Sequence, residues 1–137
     1  MNVGTVREAI ATALQPIAEV EVNSYVLAQP NPPGLQVLPP GVDYDRAMAR
    51  GLDEWTFVIQ GFVALTQDVA SQMLLDELCA PSGANSVKVR LEADPTLGGL
   101  VQSVRVMNQT PGIMVDRGSG GPMLLVEWRV QVFARGT

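Results

Sequence analysis

The chain has 137 residues, 47% hydrophobic and 17% charged, so it can form one domain with a buried core and is too apolar to be disordered. Its formal charge of −5 disfavours binding to a phosphate backbone as the main activity. With one cysteine and no histidine, the sequence excludes a disulfide framework and a cysteine-rich zinc site.

The first forty residues predict one helix followed by two strands. Thr5 and Glu8 fit a capping box, and Pro16 ends the helix. Residues 20–26 alternate between apolar and polar side chains, which is typical of a strand with one buried face. The short apolar run at 35–38, bounded by prolines and glycines, predicts a second strand. The apolar face of the helix comprises Val6, Ile10, Ala13 and Leu14.

A proline-rich arm, about residues 28–53, separates these elements from the rest of the chain. Its second part, residues 41–53, is a mixed-charge connector without a strong period, although residues 45–50 are a candidate for one helical turn. A loop this long within a compact domain is usually functional or mobile. A solvated surface loop is the simpler interpretation.

The segment from Glu54 to Leu65 is the clearest strand, and both of its faces are largely apolar. It is predicted to be a central strand covered by protein on each face, or by helices on one face and a neighbouring subunit on the other. Gly61 indicates a bulge or a close backbone approach. One face carries Trp55, Phe57, Ile59, Val63 and Leu65, and the other carries Val58, Phe62 and Ala64.

Two helices are predicted next. Thr66 or Asp68 caps the first, whose expected buried face comprises Val69, Met73, Leu74 and Leu78. Ser86 caps the second, which runs through Glu92 and ends before Asp94-Pro95. In this segment Val87, Val89 and Leu91 alternate with charged residues, so a strand is the competing interpretation.

The last third of the chain predicts strands. One spans Leu100 to Met107, a weaker one spans Gly112 to Asp116, and residues 118–121 form a flexible hairpin tip. Strict alternation from Met123 to Ala134 indicates a half-buried antiparallel strand. The whole chain, 1–137, is thus predicted to be one α+β domain, with a mixed or mostly antiparallel sheet of four to five strands and two to three packed helices.

The sequence offers no catalytic constellation, and we expect no enzyme, cofactor or metal site. A serine or cysteine nucleophile normally needs a histidine base, which is absent, and Lys88 is the only lysine. The acidic residues Glu19 and Glu21 are two positions apart, as are Asp43 and Asp45. Such pairs are common in acidic proteins, so a hydrated surface is a better interpretation than an acid–base catalytic pair. Cys79 is expected to be a small buried residue. Trp55 and Trp128 lie on apolar strand faces, where core packing is the default and an interface anchor is the alternative.

No signal pattern and no apolar run of membrane-spanning length occurs in the sequence, so we expect a soluble protein made in a cytoplasm.

Several short segments of the chain, taken in order, resemble segments of one protein family. In order, they are residues 30–40, Asp43-Tyr44-Asp45, residues 50–57, residues 78–83, Ser86-Val87-Lys88, Asp94-Pro95-Thr96-Leu97-Gly98-Gly99-Leu100-Val101 and the closing alternating strand. From about Thr5 to Arg135, this order and spacing resembles the tail terminator proteins of long-tailed bacteriophages. Each piece is a corner and not an active site, so the resemblance depends on all of them together.

The resemblance implies a virion protein of the tail or neck, assembled in the host cytoplasm. Copies of the chain, typically six, would close into a ring that stops growth of the tail tube. Its partners would be itself, the major tail tube protein and the connector or stopper protein of the head. Duplex DNA would only pass through the lumen, and no membrane is implied. Candidate interface residues in and beside the connector are Asp43, Tyr44, Arg46, Arg50, Asp53 and Trp55.

Two other functions remain open from the sequence. One is a different neck component, such as a head-completion or stopper protein. The other is a small adaptor or ligand-binding module that dimerises through its last strand.

Overall fold

The computed structural model describes residues 3–17, 20–26, 33–43, 52–64, 69–110, 112–116 and 122–135. These residues form an α+β fold of three helices and one mixed sheet of seven strands. In chain order the elements are α1 (Val3–Leu14), β1 (Glu21–Asn23), β2 (Gly34–Val37), β3 (Gly41–Asp43), β4 (Leu52–Ala64), α2 (Val69–Cys79), α3 (Val87–Glu92), β5 (Ser103–Gln109), β6 (Ile113–Asp116) and β7 (Pro122–Arg135).

Two long antiparallel strands, β4 and β7, form the centre of the sheet. They pair without a register shift from Leu52 opposite Arg135 to Ala64 opposite Met123. The main strand order is β1-β2-β4-β7-β5, and β1 runs parallel to β2 while every other pairing is antiparallel. The predicted fold class is confirmed. The strand number exceeds the predicted four to five because short strands add to the edges of the central pair.

Each long strand is flanked by two short strands placed end to end. Along β4, β2 is followed by β3, and the break between them contains Pro39 and Pro40, which have no amide hydrogen for the ladder. Along β7, β5 is followed by β6, and the register of β5 shifts between Val106 and Asn108. The first three residues of the predicted connector therefore belong to the sheet as β3, and its last two, Leu52 and Asp53, begin β4 because they pair with β7.

The three helices pack on one face of the sheet. The core between the two layers contains Phe57 and Ile59 of β4, Trp128 and Val130 of β7, and the inward residues of the helices. In α1 these inward residues recur at helical spacing, as predicted: Val6, Ile10 and Leu14 are all fully buried. No helix of the described residues lies on the other face of the sheet, which we call the open face.

Arg7 is a buried side chain that ties α1 to two strands. Its Nε donates to the carbonyl oxygen of Ser24 at 2.9 Å, and a terminal guanidinium nitrogen donates to the carbonyl oxygen of Val37 at 2.6 Å. The guanidinium also stacks over the ring of Tyr25, 4.2 Å from the ring centre. Two carbonyl groups at strand ends thus obtain partners from one helix.

Three predictions about boundaries in the chain are wrong. Helix α1 already includes Val3, whose partly buried side chain packs on the core, so Thr5 is a helical residue and not the cap. The first strand covers only three residues because the chain bends at Ser24 and Tyr25, directly after Asn23. Strand β5 begins at Ser103 instead of Leu100 because turns occupy the chain up to that point.

The helical interpretation of residues 86–92 is confirmed. Ser86 has an extended backbone, and its hydroxyl oxygen accepts a hydrogen bond from the amide of Val89, which is the geometry of an N-cap. The same hydroxyl donates to the carbonyl oxygen of Ala80 at 2.5 Å. Inside α3, Val87 and Leu91 are fully buried, so the alternation with Val89 reflects one helical face.

The corner at residues 94–101 is a closed turn system. The Asp94 carboxylate accepts from the amide of Gly98 at 2.8 Å, and the Thr96 carbonyl accepts from the amide of Val101 at 3.0 Å. Leu97, Gly98 and Gly99 have φ angles of 49°, 71° and 90°, a region that glycine adopts easily. The two glycines therefore allow the chain to reverse between α3 and β5.

Candidate partner interface

The predicted interface residues do not share one surface. Asp43 is exposed at the end of β3, where it lies opposite Glu54 on the open face of the sheet. Asp53 and Trp55 precede and follow Glu54, so their side chains point to the helix-covered face, where both are buried. Tyr44, Arg46 and Arg50 lie outside the described residues.

Trp55 is a core residue and not an exposed anchor. Its side chain is only 4% exposed, and its ring packs against Phe57 with 6.0 Å between the ring centres. The indole Nε1 is buried without a hydrogen-bond partner among the described residues. Burial within its own subunit supports core packing, and the same holds for Trp128.

The open face of the sheet carries a network of polar side chains across its strands. Gln36 Nε2 donates to Gln60 Oε1 at 2.8 Å, and Gln60 Nε2 donates to Glu127 Oε2 at 2.9 Å. The sequence alone does not reveal this network, because each residue occupies a different strand and only the register brings them together. The polar positions of the alternating pattern were the available signal.

A shallow depression of about 510 Å³ lies on the open face beside this network. Two residues that line the depression are hydrogen-bonded to each other: Gln131 Nε2 donates to Glu54 Oε1 at 2.6 Å. We call this surface the sheet depression; its lining comprises Pro39, Gly41, Glu54, Thr56, Val58, Met107, Asn108, Arg129 and Gln131. It combines a cation, Arg129, with apolar side chains and is open to a partner surface.

Helix α2 presents apolar side chains to solvent. Its inward face consists of Leu75 and Leu78, with Leu74 half-buried. Val69 and Met73 were predicted to be buried, but they are 66% and 62% exposed and lie on the outward side. The prediction is wrong because the α2 sequence is apolar at helical spacing on two sides, and contact with β4 and α3 decided which side turns inward.

The edge of the sheet at β5 is partly occupied by α3. Glu92 Oε2 accepts from the backbone amide of Val106 at 3.0 Å, and both Glu92 carboxylate oxygens accept from Lys88 Nζ at 2.8 Å. Burial alone raises the pKa of Glu92, but these hydrogen bonds, with the charges of Lys88 and Arg105, hold it below the usual 4.5. An ionised carboxylate thus covers an outward amide that another strand would otherwise pair with.

Further along the same edge, β6 is more accessible. Ile113 and Met114 are exposed apolar residues on a strand whose pairing within the described chain is with β7. Exposed apolar edge strands are common sites of association.

Reactive groups are sparse in the described residues. Burial, with a smaller contribution from the charge of Asp76, raises the pKa of the Cys79 thiol to about 11. A thiol with so high a pKa is a poor nucleophile near neutral pH. Within the described ranges, no cluster of three or more cysteine, aspartate or glutamate side chains is arranged to hold a metal ion.

The sequence matches no protein-family model, and a search of curated proteins finds no match to it. Among the helices of the described chain, none has the length and apolar character needed to cross a bilayer.

Proposed function

We propose that this chain is a ring-forming virion protein that caps the end of a phage tail tube, stops its growth and joins the tail to the head connector. The proposal starts from the resemblance of its ordered corners to tail terminator proteins, with which the α+β fold is compatible. An assembly role also needs surfaces that a single subunit leaves uncovered.

One structural observation supports the proposal most directly. Among the described residues, helices lie on one face of the sheet and none on the other, and the outer side of α2 exposes Val69 and Met73. A subunit that presents two different surfaces on opposite sides is suited to head-to-tail contacts, which close into rings when the rotation between copies permits.

The charge of the chain agrees with a conduit for DNA. A net charge of −5 gives little attraction for a phosphate backbone, so DNA would pass through the lumen without being held. We therefore expect no gel shift of duplex DNA at physiological salt. A clear shift would contradict this role.

Tube capping is the decisive test. The purified protein would be mixed with growing tubes of a phage major tail protein, and tube length and end structure would be measured by electron microscopy. We expect rings at one end of the tubes and arrested growth. Binding to head connectors without any effect on tubes would favour another neck component, and a monomer that ignores both would contradict the proposal.

A further inference from the structure

Helix α2 carries apolar residues on its outer side as well as on its core side. Leu75 and Leu78 pack on the core, whereas Val69 and Met73 are spaced by four residues and point outward. The described residues leave both outward side chains largely exposed. Methionine is enriched where proteins contact each other, so this side of α2 is suited to a partner surface.

The outer side of α2 also carries negative charge. Asp76 and Glu77 follow Met73 by three and four residues, which places them on the same side of the helix, and both are exposed. Glu77 accepts one hydrogen bond from Asn85 Nδ2 at 3.3 Å and keeps its charge outward. Val69, Met73, Asp76 and Glu77 together are called the α2 stripe.

The sheet depression has the complementary chemistry on the opposite side of the domain. Val58 and Met107 supply apolar surface, and Arg129 supplies an exposed cation that has no ion-pair partner among the described residues. Arg105 lies directly opposite Gln131 in the β5–β7 pairing, which puts a second exposed cation beside the depression. Glutamine side chains engage the nearby carboxylates of Glu54 and Glu127.

We propose that the α2 stripe of one copy docks into the sheet depression of the next copy. Met73 enters the depression against Val58 and Met107, and Asp76 and Glu77 approach Arg129 and Arg105. The contact is heterologous, because each copy uses a different surface on each of its two sides. This inference rests on the proposed ring-forming function and names the contact that builds the ring.

Matched substitutions test the contact through the oligomeric state, measured by sedimentation velocity. We expect Met73→Asp to weaken self-association by at least about tenfold, because it places a carboxylate in an apolar contact. Val26→Asp is the control, since Val26 is 49% exposed beyond β1 and outside the proposed contact. Equal effects of the two substitutions would overturn the inference.

A charge exchange tests the predicted ion pair. Arg129→Glu should weaken association by about tenfold, because it sets like charges against each other. Adding Asp76→Arg in the same chain should restore most of the affinity. Weakening without recovery would count against this pairing of surfaces.

Disulfide trapping tests the direction of the contact. Two single-cysteine chains would be made in a Cys79→Ser background, one with Met73→Cys and one with Asn108→Cys. We expect a disulfide-linked dimer only when the two chains are mixed and oxidised. A dimer from the Met73→Cys chain alone would indicate a symmetric helix contact and overturn the inference.

The outcomes separate the inference from the proposed function. Rings that cap tubes but give no mixed disulfide would refute the α2 contact and leave the capping function standing. A chain that never self-associates and never binds tube ends would refute both.

Discussion

The indole ring of Trp128 lies over the backbone of Gly61. A β carbon built on Gly61 would be 2.6 Å from Cζ3 and 2.8 Å from Cη2 of Trp128. Trp128 pairs with Ile59 in the register, so its ring reaches diagonally across β4 to the next inward position. The β4–β7 register continues through Gly61, so this glycine marks a close approach and not a bulge.

Gly61→Ala should therefore destabilise the fold by about 2 kcal/mol, because the ring must move within a packed core. Urea unfolding monitored by tryptophan fluorescence measures the change. Gly41→Ala is the matched control, since a β carbon there has nothing within 4 Å. Similar losses for both substitutions would contradict the steric explanation.

Replacement of Arg7 tests its role as a buried connector. Arg7→Met keeps much of the side-chain volume but leaves the carbonyls of Val37 and Ser24 without a side-chain donor. We expect a loss of about 2–3 kcal/mol in the free energy of unfolding. Arg7→Lys should recover only part of it, because an ammonium group cannot reproduce the fork of a guanidinium. If Arg7→Lys restored the whole free energy of unfolding, a positive charge at this position would be sufficient and the guanidinium geometry would not matter.

The Glu92 carboxylate should make stability depend on pH. Its pKa is lowered in the folded state, so its stabilisation is present above 4.5 and is lost as the pH falls through the folded pKa. Glu92→Gln should cost about 1 kcal/mol near neutral pH and reduce the acid sensitivity. Glu8→Gln, on the exposed side of α1, is the control. An unchanged acid profile for Glu92→Gln would be inconsistent with this assignment.

Cys79 should react slowly with alkylating reagents. With a thiol pKa of about 11, the thiolate fraction near neutral pH is roughly two orders of magnitude below that of a free cysteine. Iodoacetamide labelling followed by mass spectrometry measures the rate, and urea-unfolded protein provides the control. The free energy of unfolding should also fall as the pH rises between 9.0 and about 11, because the unfolded thiol ionises first. Rapid labelling of the folded protein would contradict the raised pKa.

The sequence predicted the elements whose signals are local. The alternation of β7, the Ser86 cap of α3 and the stop at Asp94-Pro95 depend on residues within a few positions of each other. The long strand β4 was also predictable, whereas for Gly61 the sequence left a bulge and a close backbone approach open, and the β4–β7 register decided between them. Of the candidate interface residues, Asp43 is exposed, as an interface residue must be. For Trp55 the sequence did not decide between core packing and an interface anchor, and the structure shows core packing.

The inward face of α2 was predicted only in part. Leu78 is buried as expected, but Val69 and Met73 share a side with the charged Asp76 and Glu77, which were the local signal for an outward side. The glutamine and glutamate side chains of the open face were not predictable as neighbours, because they lie far apart in the chain and the sheet register alone brings them together.

The amino-acid sequence by itself determined the periodicity, the Ser86 cap, the turn after α3 and the acidic charge, because these follow from short-range sterics and composition. Tertiary structure alone decided which apolar faces meet in the core and which remain uncovered. The hydrophobic effect has no direction, so a face that is apolar in sequence is buried only where packing with other elements brings it a partner.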